Sequence, residues 1–117
     1  MKPPIATTLL CLAVLTASPS TGMAQSNLVG KGDLRAQTVQ VFENLKIALR
    51  SAGADFDDVA KLTTFVVGLK PTDRIMISEV IAQYFPPGRR PAHTLVGIDA
   101  LAVEDLLIEV EAIAVVP

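Results

Sequence analysis

The sequence predicts an α+β domain with two helices packed on one face of a β-sheet. Three observations lead there. Apolar residues recur at helical spacing over 33–52 and again from 71 to 84. The runs 59–69, 89–98 and 106–116 are rich in β-branched residues, and 62–67 and 107–115 alternate with period two. The order after the N-terminal segment is helix, strand, helix, strand, strand, without internal repeats. At 117 residues the chain is enough for one small domain and not two.

The N-terminal segment differs in kind from the rest. Lys2 is the only charge before Lys31, residues 5–15 form an apolar run interrupted only by Thr7 and Thr8, and Ser18-Pro19-Ser20-Thr21-Gly22 follows. A basic start, a short apolar core and small residues describe a secretory signal peptide over 1–24, with Gly22 and Ala24 before cleavage at Gln25. The apolar run is shorter than the roughly 20 residues a membrane helix needs, so no stable membrane association is expected. Cleavage predicts an exported or periplasmic domain over 25–117; left uncleaved, 5–15 would supply sheet or core in a cytoplasmic protein. Cys11, the only cysteine, lies in this run, so a cleaved chain could form no disulfide.

Asp33 is a good N-cap for the first helix. Leu34, Val41, Phe42, Leu45, Leu49 and Ala52 form its apolar stripe, with Arg35, Gln37, Gln40, Glu43, Lys46 and Arg50 mostly opposite. Gly53 ends it. Asp55-Phe56-Asp57-Asp58 is an acidic turn without calcium-loop spacing. In the first strand Leu62, Thr64 and Val66 alternate with Thr63, Phe65 and Val67. Pro71-Thr72-Asp73 starts the second helix, with Thr or Asp as cap. Met76, Ile77, Val80, Ile81 and Tyr84 make its stripe, and Pro86-Pro87-Gly88 stops it.

The last two strands carry the candidate chemistry. In the final one Ile108, Val110, Ala112 and Ala114 share one face; Leu107, Glu109, Glu111, Ile113 and Val115 share the other. The single histidine, His93, opens the preceding strand. Joined by a short polar turn, the two strands are expected to be neighbours, with the chemistry where they meet. One histidine and no HxH or HExxH pattern make a metal site unexpected. No phosphate loop is present. A net charge of −2, no Trp and one Tyr give no reason to expect nucleic acid.

Gln37-Thr38, Gln40-Val41-Phe42-Glu43-Asn44-Leu45, Ala52-Gly53-Ala54, Asp57-Asp58-Val59, Lys61-Leu62-Thr63, Tyr84-Phe85-Pro86, Arg90-Pro91-Ala92 and Ile108-Glu109-Val110-Glu111-Ala112-Ile113-Ala114 follow in order. This set resembles the RidA family of reactive-intermediate deaminases, also named endoribonuclease L-PSP. The resemblance implies a chorismate-mutase-like mixed sheet with two helices on one face. It implies a homotrimer with ligand clefts between subunits, and hydrolysis of small enamines and imines without metal or cofactor.

The resemblance also implies that Glu109 lies near the attacking water and that position 93 contacts the substrate carboxylate. Three departures stand out. His93 replaces the expected arginine, Ser78 and Ile81 replace a frequent Asn and Tyr, and the family's N-terminal strands have no clear counterpart beyond a trace in Thr21-Gly22-Met23. The alternative is a non-catalytic small-molecule-binding or structural trimer. A ribonuclease reading rests on the family name alone, against an acidic balance and few aromatics.

Overall fold

The computed structural model describes residues 7–14 and 28–116. The small-residue patch 18–22, the trace at 21–23 and the junction between Ala24 and Gln25 lie outside the described residues. Six elements follow in order: β1 (Thr7–Val14), α1 (Leu34–Ser51), β2 (Val59–Val67), α2 (Pro71–Ile81), β3 (Ala92–Ile98) and β4 (Ile108–Val116). Strand β1 falls inside the segment read as a leader.

The chain enters α1 through a turn that requires glycine. Gly30 has φ +66°, and a Cβ there would meet the Ala36 Cβ at 2.7 Å. Asp33 then caps the helix, its Oδ1 accepting from the Ala36 N–H at 3.0 Å. Gly53, at φ +77°, follows the C-cap Ala52 as predicted. Gln37 departs from the expected polar side: it is buried, as is Thr38. Its amide nitrogen donates to the Gly30 and Asp105 carbonyls at 3.2 and 3.0 Å, and its Oε1 accepts from the Leu107 N–H at 2.8 Å. One fully paired amide thus ties the turn before α1 to the loop before β4. Thr38 returns its hydroxyl to the Leu34 carbonyl.

The acidic turn is a 3₁₀ turn, Phe56–Asp58, in which Asp55 and Asp58 cap each other's backbone N–H groups. Helix α2 is capped from Lys70, not from Thr72 or Asp73. Pro71 takes the first helical position, and Asp73 reaches back to accept from the Lys70 N–H at 2.8 Å. The helix stops at Ile81, and Tyr84 lies in the turn beyond it, with its ring 5.2 Å from Phe42.

The sheet is mixed, in the order β1-β4-β2-β3. β2, α2 and β3 form a parallel crossover, while β4 runs antiparallel to both β2 and β1. This corrects the expected pairing of the last two strands. β2 lies between β3 and β4, because the intervening segment, residues 99–107, is no tight turn but carries the chain across β2. Helix α1 packs over β1 and β4, and α2 lies beside α1.

The face under the helices is closed. Leu62, Val66, Ile108, Val110, Ala112 and Ala114 are fully buried against Val41, Phe42, Leu45 and Leu49. Val59 joins them because β2 carries a bulge between Val59 and Lys61. Strict alternation would have turned Val59 to the other face. The opposite face, with Phe65, Glu109, Glu111 and Ile113 half-buried and Val115 exposed, has no helix on it among the described residues.

Candidate functional site in the groove between the second helix and the edge strand

Strand β3 is the last in the sheet, so its outer edge carries no ladder among the described residues. Helix α2 rises beside it and leaves an open groove of about 840 Å³. Ile77, Ile81 and Leu95 contribute apolar wall, while Arg74, Ser78, Glu79 and Arg90 contribute polar groups. His93 lines the same groove.

The register explains how His93 reaches it. His93 stands opposite Leu62 of β2, so its side chain takes the helix-covered face. There its Nε2 lies 2.9 Å from the Oγ1 of the buried Thr64. The residue is exposed by area, yet enough protein surrounds the ring for desolvation to hold its pKa below the ordinary 6.5; the Arg90 guanidinium pushes it further down. At neutral pH the imidazole is therefore uncharged. With Nε2 taken by Thr64, one ring nitrogen is left for a hydrogen bond to a ligand.

Glu109 lies elsewhere. It pairs with Phe65, on the face without helices, three residues along the strands from the level of His93. Two strand spacings and three residues separate the backbones by about 10 Å in each direction. One chain therefore does not bring Glu109 and His93 together. Of the residues that the groove adds, Arg74 has no part in the sequence reading, and Ser78 enters it only as a departure from the RidA pattern. Arg90, beside Arg89 in a proline-flanked loop, is there a candidate source of the charge that His93 lacks, set against its being simply solvated. The i, i+4 spacing of Arg74 and Ser78, which places both on one side of a helix, was the available signal.

Residues 12–116 match the family model described as Endoribonuclease L-PSP. The chain belongs to this family, also called Rid. A RutC family protein of Pyrococcus abyssi is 42% identical over 84 residues, covering 72% of this chain and 63% of its own length. A RutC family protein of Pyrococcus horikoshii is equally identical and covered over 64% of its length, so the chain spans somewhat less than two thirds of these relatives. Among solved structures, the Rid-family protein YyfB of Yersinia pestis, of unknown function, is similar at TM-score 0.77 and 40% identity, over 96% of this chain and 81% of its own. TdcF of Escherichia coli, solved with bound serine, is similar at TM-score 0.73 and 25% identity, over 98% of this chain and 85% of its own.

The expected mixed sheet with two helices is the Rid fold. Of the Rid departures read from the sequence, His93 and Ser78 both line the groove, and so does Ile81.

Proposed function

We propose that this Rid-family chain is a hydrolase for small enamines and imines, working at the groove between α2 and β3 and weakened toward substrates that bear a carboxylate. The observation that carries the reading is His93 in that groove, at the position where the resemblance places a substrate-binding arginine. A guanidinium grips a carboxylate through two parallel charged bonds. A neutral imidazole gives at most one uncharged bond, a loss of about 2–4 kcal/mol.

Glu109 polarises the attacking water in this proposal. Its place on the other face means that the reaction centre takes residues from more than one chain. A homotrimer supplies them: the uncovered face, with Phe65, Ile113 and Val115, and the open edge of β3 both invite a neighbouring copy. The separation of His93 from Glu109 also favours a second reading, a trimer that binds small molecules without turning them over.

Ammonia and keto-acid release from an imine generated in situ separates the two. His93→Arg should raise turnover of 2-iminoacids, by roughly 30-fold or more, and Glu109→Ala in that background should lower it. If His93→Arg changes nothing, position 93 does not limit the site. The order of charge, apolar run and small residues over 1–24 supports export, and processing after Ala24 would remove β1. Intact mass of protein from its own host decides this, and retained Met1 in a soluble cytoplasmic fraction rejects it.

A further inference from the structure

His93 carries no permanent charge, but the groove does. We propose that Arg90, seconded by Arg74, is the anion anchor of the α2–β3 groove, so that the site takes a small carboxylate with a short apolar body. The inference rests on the groove being the substrate site, and it assigns the charged contact to a residue three positions before the expected one.

Position is the first argument. Arg90 is exposed in a proline-flanked loop, where a guanidinium would ordinarily be free in water. Here its Nη1 donates to the Ser78 hydroxyl of α2 at 3.1 Å, which holds the group across the groove. Ser78 is four residues beyond Arg74, so the side chain that holds Arg90 and the side chain of Arg74 leave the same side of α2 about one helical turn, about 5.4 Å, apart. Both cations line the groove, one from the loop and one from the helix.

Charge pairing is the second. Arg89, the neighbour in sequence, faces Asp57 at 3.7 Å. Glu79, the one carboxylate among the groove residues, is held by Arg35 at 2.9 Å. Neither Arg74 nor Arg90 has a carboxylate in ion-pair range among the described residues. The groove therefore presents two cations lacking an acidic partner over a wall of Ile77, Ile81 and Leu95. Such a lining suits a ligand with one anionic head and a few carbons behind it. A planar guanidinium also suits a carboxylate head in particular.

The test is titration of the full chain with 2-oxobutanoate, followed by methyl NMR at Leu95 and Ile81, with butanone as the uncharged counterpart. We expect 2-oxobutanoate to bind, butanone at the same concentration not to, and added salt to weaken the binding. Arg90→Gln should lose about tenfold or more in affinity, and more than His93→Gln loses. Arg90→Lys, which keeps the charge without the fork, should fall between wild type and Arg90→Gln. Unchanged circular dichroism and melting temperature show that each variant folds. Wild-type affinity in Arg90→Gln, a larger loss in His93→Gln, equal binding of butanone, or no binding by wild type at millimolar concentration would each overturn the proposal. The two readings fail separately. Arg90-dependent binding without ammonia release overturns the hydrolase and keeps the anchor. Ammonia release by Arg90→Gln at wild-type KM overturns the anchor and keeps the hydrolase.

Discussion

The two faces of the sheet obey different rules, although the same strands build them. Under the helices Ile108, Val110, Ala112 and Ala114 of β4 and Leu62, Thr64 and Val66 of β2 are out of water, and Phe42, Leu45 and Leu49 close over them. On the other face the same strands present Phe65, Glu109, Glu111 and Ile113, all half-buried, with Val115 exposed at 38%. The covered face is sufficient within one chain. The other mixes two carboxylates, Glu109 and Glu111, with large apolar groups, Phe65, Ile113 and Val115, that no helix covers among the described residues. The two candidate residues divide between the faces: His93 lies at the margin of the covered face, in the groove between α2 and the edge strand, and Glu109 lies on the face without helices, which meets a neighbouring copy in the proposed trimer.

Four measurements sharpen or break this contrast. The largest effect should come from Phe42→Ala. Phe42 is fully buried and touches Tyr84 and Phe56, so truncation leaves a cavity costing about 3–5 kcal/mol in chemical unfolding. Next is Gln37→Ala, which strips partners from the Gly30 and Asp105 carbonyls and from the Leu107 N–H. A loss of about 2–3 kcal/mol is expected, with faster amide exchange at Leu107. A cost below about 0.5 kcal/mol would mean that water replaces the amide and that the α1 seam is not closed.

Phe65→Glu probes the other face. It should change the stability of a single chain by less than about 1 kcal/mol but shift the assembled mass toward monomer in light scattering. If wild type is already a stable monomer, or if Phe65→Glu unfolds it as Phe42→Ala does, the two faces are not distinct in kind.

The smallest effect belongs to His93. Desolvation first, and Arg90 second, lower its folded pKa below 6.5. The unfolded chain then binds the proton more readily, so the neutral-ring contribution is fully present above about pH 6.5 and is lost as pH falls from there toward the folded pKa. Arg74, Glu79 and Arg90 are the charged groups lining the groove that His93 shares. Titration of the ring by NMR should give a midpoint below 6.5, and His93→Gln should flatten this part of the stability profile. A midpoint above 6.5 would mean that a carboxylate, and not Arg90, governs the ring.

Tyr84 offers a control for such readings. Desolvation and its bond to Glu43 push its pKa up to about 12, so the phenol stays protonated throughout this range and leaves the His93 profile undisturbed.

What the sequence determined by itself was everything set by local periodicity and caps. The Val41, Phe42, Leu45 and Leu49 stripe of α1, the Asp33 cap, the Gly53 stop and the alternation of β4 follow from neighbours within a few residues, and they stand where the pattern put them, while Ala52, expected in the stripe, is the exposed C-cap. The ordered motifs were enough to name the family. The inward turn of Gln37 was not legible, because a polar residue at the edge of an apolar stripe is buried only if distant carbonyls await it, and these come from residues 30 and 105. Strand order was not legible either: adjacency in sequence suggested that β3 and β4 pair, whereas the crossover through α2 placed β3 outside β2 and left the center of the sheet for β4. That one tertiary decision separated Glu109 from His93 and opened the edge beside α2. It also gathered Arg74, Ser78 and Arg90 into one groove, since residues so far apart in the chain become neighbours only when a helix and a strand are laid side by side.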